Sequence, residues 1–308
     1  MKESCVISQV RDYVQKNIPA DQVLYNEPLA SHTTFHVGGP CEMLVSVHDM
    51  KQLTGLLQEI RSADVPMMIL GNGSNLLVSD KGYNGVMIKL EGEFTSVSVE
   101  GDVITAGGGA LLAKVARDAL GAELTGLEFA SGIPGSVGGG VIMNAGAYDG
   151  EMKMVVEKVT LVDLSGHILE KNCEDMKFAY RTSFAKAGGY IVTGVRLKLS
   201  KGDKADILAK MDDFAARRRD KQPLEYPSAG STFKRPEGFF AGKLIDDAGL
   251  RGYRVGDAQV SEKHCGFVIN VGNATATDIN RLMEDVTGKV ELQFGVTLEP
   301  EVIKIGEF

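Results

Sequence analysis

The stretch 125–148, TGLEFASGIPGSVGGGVIMNAGAY, restricts the fold more than any other part of the chain. Seven of its residues are glycine and a single one, Glu128, is charged. Glycine and Pro134 interrupt it too often for one helix to span it, and it is too apolar for a flexible linker, whose composition is polar. Glycine permits positive φ and leaves the main chain bare. A dense glycine run that also carries Ile133, Val137, Val141, Ile142 and Met143 therefore points to backbone packed directly against a bound molecule. A flat, phosphate-bearing cofactor has the required shape. A set of tight turns in a glycine-rich core, without a ligand, is the competing explanation, and the stretch alone leaves both open.

A second glycine cluster lies at GNGSNLLVSD, 71–80, directly after the apolar run VPMMIL, 65–70, which reads as a buried strand. The strand delivers its end into a nest of backbone N–H groups and small donors that suits a pyrophosphate. The dinucleotide fingerprint G-x-G-x-x-G is not met, because Leu76 stands at the third glycine and no helical pattern follows. An ordinary turn remains an alternative for this loop. Upstream, SHTTFHVGGP, 31–40, adds Thr33 and Thr34 beside Phe35, with His32 and His36 read as loop histidines.

The rest of the chain frames these clusters. Its 308 residues, 44% hydrophobic, fill two or three domains, and a net charge of −8 argues against a general nucleic-acid binder. The N-terminal MKESCVISQVRDYV lacks the apolar core of a signal peptide, and no run reaches transmembrane length, so a cytoplasmic protein without a membrane partner is expected. Cys5, Cys41, Cys173 and Cys265 are scattered and read as free thiols; His264 beside Cys265 lacks the further ligands of a zinc site.

Leu53, Leu56, Leu57 and Ile60 recur at helical spacing between Asp49 and Ala63. From Gly85 the texture becomes short alternating strands, VMIKL, FTSVSVE and VITAGGG, then a helix with Leu111, Leu112, Val115, Ala116 and Leu120 on one face. KVTLVDL and HILE flank Ser165-Gly166 as a hairpin, and GGYIVTGVRLKLS, 188–200, is a further strand. The helix pattern of 203–219 ends in Arg217, Arg218 and Arg219, which suit its C-terminal dipole or a substrate phosphate. Proline and glycine at 221–238 mark a domain boundary. Beyond it come a helix FFAGKLIDDAGL with Gly249 as its stop, strands near YRVGDAQV and CGFVIN, and a helix from Thr277 with Ile279, Leu282, Met283 and Val286 inward. The final VTLEPEVIKIGEF reads as a strand with Glu299 and Glu301 on one face.

Taken in order, GGP, GNGSNLLV, SGIPGSVGGGVIMNAGAY, YRTSF, SAGSTFKRP, LID-AGL-G and LEPEV resemble the UDP-N-acetylenolpyruvoylglucosamine reductases over nearly the whole chain. The compact run Gly249–Ser261 resembles the shorter subtype, without the substrate-covering tyrosine loop. The resemblance implies an α+β fold: a two-lobed FAD-binding domain of the vanillyl-alcohol-oxidase type, 1–84 and 85–219, and a smaller αβ substrate lobe, 220–293, with 294–308 returning near the active site. It also implies non-covalent FAD, NADPH as electron donor and a UDP-sugar substrate; the oligomeric state stays open, with a monomer among the alternatives.

By the same resemblance, FAD is held by Thr34, by Gly71, Asn72, Gly73, Ser74, Asn75 and Leu76, by Ser131, Gly132, Ile133, Pro134, Gly138 and Gly139, and by Asn144, Ala145, Gly146 and Ala147. Hydride passes to the terminal carbon of an enolpyruvyl ether, which leaves an enolate that must be stabilised and then protonated at C2. Arg181 and Glu301 match the enolate-stabilising positions and Ser231 the proton donor. Arg218, Lys221, Lys234 and Arg235 match substrate-binding positions. Where many relatives read E-V-R, this chain has Glu301-Val302-Ile303-Lys304, so one arginine contact falls to another cation. A flavin oxidase of the same fold is the alternative, and YRTSF with AGSTF and LEPEV argues against it; a binding module without chemistry has no use for Arg181, Ser231 and Glu301.

Overall fold

The computed structural model describes residues 2–308, with side chains from Ile7 onward, so the thiol of Cys5 lies outside the described residues. The chain forms two compact units. Met1–Tyr25, Met43–Gly71 and Gly85–Ala216 make the first; Asn26–Glu42, Asn72–Asn84 and Arg217–Phe308 make the second. Both combine helices with mainly antiparallel sheets, the α+β class that the sequence implies.

In the first unit the helix Met50–Ser62 buries Leu53, Leu56, Leu57 and Ile60, the stripe read from the sequence. Asp49 caps it by accepting the Gln52 N–H at 2.8 Å, which pairs one of the amides that a helix start leaves open. Full burial of such a side chain contributes about 1.5–3 kcal/mol each, so the stripe, rather than intrinsic propensity, holds the helix in place. It leads into the strand Met67–Ile69, which pairs in parallel with Tyr83–Leu90. The helix Lys2–Asn17, to which the sequence reading assigned no element, buries Val10 and Val14 in the same core.

A five-stranded antiparallel sheet supplies the other core of this unit, in the order Ile168–Asn172, Val156–Val162, Ile191–Lys198, Val103–Gly107, Val97–Glu100. The hairpin at Ser165-Gly166 is present, with Gly166 at φ +84°. Two expectations change. FTSVSVE is a strand only from Val97, because Gly92–Thr95 is a 3₁₀ turn. Leu111 is not on the inner face of the following helix: it is the N-cap of Leu112–Gly121, extended and 46% exposed, and Ala119 takes the inward place. A cap residue lies outside the helical turn, so the 3.6-residue period does not govern its direction.

In the second unit an antiparallel sheet runs Ser228–Ser231, Phe267–Asn270, Ala258–Val260, Arg254–Val255. YRVGDAQV is a hairpin rather than one strand, since Gly256 at φ +56° turns the chain in its middle. The helix Ala276–Phe294 covers the sheet with Ile279, Leu282, Met283 and Val286. Thr275 and Asp278 form a capping box at its start, and both carboxylate oxygens of Asp80 accept from its first turn, at Ala276 N (2.8 Å) and Thr277 N (2.9 Å). The terminal strand is shorter than expected: Ile303–Ile305 pairs in parallel with Leu76–Val78, and before it Pro300 forms a lone antiparallel bridge with Phe233. Glu299 and Glu301 precede it, because Pro300 has no N–H to continue a ladder.

Candidate active site

In the first unit the glycine stretch resolves into a 3₁₀ turn Glu128–Ala130, a loop, a short helix Val137–Ile142 and the paired strands Gly146–Ala147 and Gly150–Glu151. The helix was not expected there. Ser136 caps it, accepting the Gly139 N–H at 3.3 Å, and its glycines let it lie on bare main chain. Val137 and Gly138 each donate at 2.7 Å, to the carbonyls of Ala110 and Gly108. A Cβ on Gly138 would stand 3.0 Å from Gly108 O, and one on Gly140 3.0 Å from Leu112 Cδ1. Packing within the protein accounts for these two glycines.

Gly132, Pro134 and Gly139 are exposed, beside half-buried Ser131 and Ile133. Gly71 belongs with them: a Cβ there would approach Ser136 Oγ to 2.7 Å, so the loop after strand Met67–Ile69 abuts the glycine stretch. Ala145 N donates to Gly140 O, and Gly146 and Ala147 pair with Glu151 and Gly150.

Asn144, 1% exposed, has its amide engaged inside the protein: it donates to Glu151 Oε2 (2.8 Å) and Ala179 O (3.3 Å) and accepts from Lys153 N (3.0 Å). The bond to Ala179, with that of Ser183 Oγ to Ile142 O (2.9 Å), ties the turn 179–183 to the glycine stretch. Arg181 sits in this turn at φ +56°, its guanidinium 5.1 Å from the Tyr180 ring centroid. A left-handed conformation costs a non-glycine residue about 1–2 kcal/mol, and the flanking bonds hold it there.

Glu128, passed over in the sequence, is 2% exposed. Burial pushes its pKa up, but the Thr125 hydroxyl (2.5 Å), the Gly126 N–H (2.8 Å) and the charge of Lys210 outweigh it and hold the carboxyl below its ordinary range. The acid is therefore ionised and structural. It borders a cavity of about 410 Å³, lined also by Lys198 and by Tyr148 stacked on Phe214 at 4.3 Å. The cue in the sequence was one charge in an apolar run.

In the second unit Gly73, at φ +61°, leaves no room for a side chain: a Cβ would lie 2.0 Å from His32 O. Thr34 N donates to Gly73 O at 3.2 Å, while Thr34 Oγ1 is buried with no hydrogen-bond partner among the described residues. An orphaned buried hydroxyl beside a glycine nest is the kind of donor set that suits a phosphate oxygen. Exposed Asn72 and half-buried Ser74 flank it. These residues fit the FAD that the sequence resemblance implies.

Asn75 faces two ways. Its side chain donates to Glu301 O at 3.2 Å and its carbonyl accepts from Ile303 N at 2.9 Å; Leu76 then opens the strand that pairs with Ile303–Ile305. On the other side of the 299–301 segment, Glu301 N donates to Thr232 O and Lys234 N to Glu299 O, each at 2.8 Å. Ser231 ends its strand exposed, one residue from this pairing. The second unit therefore brings Ser231, Glu301 and the 72–76 loop together, while Arg181 belongs to the first.

The basic candidates are spread through the second unit. Arg218 donates from Nε to Gln222 Oε1 at 2.9 Å, and Lys221 ends the helix Lys204–Lys221 exposed. Lys234 pairs with Glu299 at 2.9 Å, its donated bond holding the Glu299 carboxyl below its ordinary range. The Arg235 guanidinium lies 4.0 Å from the Phe240 ring centroid. At the position of the absent arginine, Lys304 follows Ile303 and its amine stands 3.8 Å from Glu284. No helix among the described residues is long and apolar enough to cross a membrane.

Comparison with known proteins bears on both units. The family model described as "UDP-N-acetylenolpyruvoylglucosamine reductase, C-terminal domain" matches residues 222–305, and one described as "FAD binding domain" matches 41–172. The chain is 50% identical over 297 residues to the UDP-N-acetylenolpyruvoylglucosamine reductase of Lachnoclostridium phytofermentans, covering 95% of this chain and 96% of that protein. It is 50% identical over 307 residues to that of Agathobacter rectalis, with 96% and 98% covered. A solved structure of the reductase from Thermus caldophilus, 39% identical, superposes with a TM-score of 0.80 over 91% of this chain and 98% of that one.

Proposed function

Since this chain belongs to the UDP-N-acetylenolpyruvoylglucosamine reductase family, we propose that Arg181, Ser231 and Glu301 carry its chemistry. The protein is an NADPH-dependent flavoenzyme that reduces the enolpyruvyl group of UDP-N-acetylglucosamine enolpyruvate to the lactyl ether, giving UDP-N-acetylmuramate for peptidoglycan synthesis. Bound FAD would supply the redox chemistry, the passage of hydride from NADPH to the terminal vinyl carbon of the substrate.

The protein's own residues then deal with the electron pair left at C2. Arg181 offsets the charge that spreads onto the carboxylate as the enolate forms. Glu301 acts through hydrogen bonding on the same face, because a bare carboxylate would repel the enolate. Ser231 gives its hydroxyl proton to C2, which completes the lactyl carbon; a serine is a weak acid, so it relies on close placement against a strongly basic carbanion rather than on a shifted pKa. In this reading Thr34, the 71–76 loop, Ser131 to Pro134, Gly138, Gly139 and 144–147 hold FAD. Arg218, Lys221, Lys234 and Arg235 receive the charged substrate.

One observation supports the assignment above the others: Glu301 N donates to Thr232 O at 2.8 Å, which joins the segment carrying the glutamate to the residue after the serine. Residues 1–84 with 294–308, and 85–219, serve as the cofactor lobes in this reading, 220–293 as the substrate lobe, and the protein works in the cytoplasm. Isotope labelling tests the chemistry. NADPH deuterated at C4 should place its label on the lactyl methyl, and D₂O solvent should place deuterium at C2. Label at C2 from NADPH, or oxygen uptake in place of substrate reduction, would overturn the reading.

A further inference from the structure

Three hydrogen bonds meet at Thr232, the fully buried residue between the proposed proton donor and the segment that bears Glu301. Its N–H donates to Gly266 O at 2.9 Å, its carbonyl accepts from Glu301 N at 2.8 Å, and its side-chain Oγ1 accepts from Val268 N at 2.9 Å. The third bond is unusual for a strand. Ser231 lies opposite Phe267 and Ser228 opposite Ile269, so three steps on one strand match two on the other, and Gly230 takes up the extra residue at φ +74°. At this irregularity the Val268 amide finds its acceptor in the Thr232 hydroxyl instead of a strand carbonyl.

We propose that the Thr232 hydroxyl is a positioning device for proton delivery: by satisfying Val268 N–H it locks the bulged register that aims Ser231 and, through its own carbonyl, sets Glu301. The inference rests on the assignment of Ser231 as donor. Val268 is 1% exposed, so its amide has no water to turn to when the hydroxyl is removed. The strand must then slide or twist to find another acceptor, and the residue it moves first is Ser231. Thr232 touches no reacting atom in this scheme; its effect passes through the backbone on either side. The methyl group fills core and the hydroxyl fixes register, so the two contributions separate by substitution.

Thr232→Val keeps size and branching but removes the acceptor; Thr232→Ser keeps the acceptor. In the FAD-loaded enzyme Thr232→Val should slow substrate reduction by roughly 10²-fold, the scale of an ångström-level misplacement, and leave flavin reduction by NADPH and the substrate KM unchanged. The solvent deuterium isotope effect on kcat should rise, since protonation becomes the slow step. Hydrogen exchange should quicken at the amides of Val268 and Glu301, a readout independent of turnover. Thr232→Ser should retain most of the rate. Thr232→Cys, whose sulfur is a weak acceptor, replaces Thr232→Val if that variant does not fold and should give an intermediate loss.

Equal slowing of both half-reactions, an unchanged isotope effect, or a Thr232→Ser variant as slow as Thr232→Val would overturn the inference. Ser231→Ala measured alongside separates it from the assignment beneath it. If Ser231→Ala still reduces substrate, the assignment of the donor fails. If it does not, and Thr232→Val remains fast, only the role of Thr232 fails.

Discussion

The glycine stretch of the first unit and the 231–234/299–303 pairing of the second are both site material, yet they are built on opposite principles. The first is local: 24 consecutive residues, 125–148, whose lack of side chains lets backbone meet backbone, as where Gly138 N donates to Gly108 O at 2.7 Å. The second is non-local: Ser231 and Glu301 stand 70 residues apart in numbering, and the segment 299–301 is bonded through main chain at 2.8 Å to Thr232 and Lys234 on one side and to Asn75 on the other. The first conveys shape and tolerates little bulk, whereas the second conveys chemistry and depends on two side chains.

The largest test of that contrast is Ser231→Ala. General acid catalysis is worth about 10²–10⁴ in rate, and with no other positioned donor the loss should sit at the upper end. Stopped-flow absorbance should find flavin reduction by NADPH nearly intact and reoxidation by the enolpyruvyl substrate collapsed. Equal slowing of both steps would make Ser231 part of the flavin site instead.

Within the glycine stretch and its neighbours, shape rather than chemistry should decide the outcome. A Cβ on Gly108 would meet Val192 O at 2.0 Å, whereas one on Gly139 would meet only Ser136 Oγ, at 3.4 Å. Gly108→Ala should therefore cost about 3 kcal/mol, at the upper end for overpacking, measured by urea unfolding. Gly139→Ala should fold as well as the parent, helped by about 1 kcal/mol of helix propensity, and lose FAD affinity. If Gly139→Ala binds FAD normally, the exposed face of the stretch does not touch the cofactor, and the ligand-free explanation of its glycines extends to this one as well.

The two regions were also unequally legible. The helix Met50–Ser62, the hairpin at Gly166 and the strand after Asp64 follow from periodicity and turn residues, which are local. The glycine stretch announced a backbone-packing role but not its partner. Gly138 rests on Gly108, and only the fold pairs them. Leu111 was misplaced because a cap position breaks the helical period, and the terminal strand was overextended across Pro300. Ser231 and Glu301 were found through motif resemblance. Thr232 was invisible, since a buried threonine acting as a surrogate carbonyl reads in sequence as an ordinary strand residue.

Glu128 tests whether the glycine stretch contains any side-chain chemistry of its own. Glu128→Gln weakens charge-assisted bonds from Thr125 and Gly126, each worth about 1.5–3 kcal/mol, so stability at neutral pH should drop by roughly 2 kcal/mol. The pH dependence has a fixed sign. The folded pKa is depressed, so the contribution is fully present above the ordinary carboxylate range and is lost as pH falls through the lower folded value. The gap between parent and variant should therefore narrow in acid. A gap independent of pH would mean that the carboxylate acts by shape alone.

The smallest expected effect sharpens the account of the second unit. Lys234 and Glu299 form an ion pair across the same two bridged segments that carry Ser231 and Glu301, and both side chains are well exposed. Exposed pairs contribute little to stability, because solvent screens the attraction and ordering two long side chains opposes it. The backbone bonds Lys234 N to Glu299 O and Glu301 N to Thr232 O do not involve the side-chain amine. Lys234→Gln should thus leave the Tm and the flavin-reduction rate where they are. If the amine meets the substrate diphosphate in ground and transition state alike, KM should rise with kcat retained, the mark of uniform binding. Arg218→Ala should give the same pattern. A fall in Tm, or a loss confined to kcat, would mean that the ion pair itself holds Ser231 and Glu301 in register, and the main-chain account of this half of the site would have to give way.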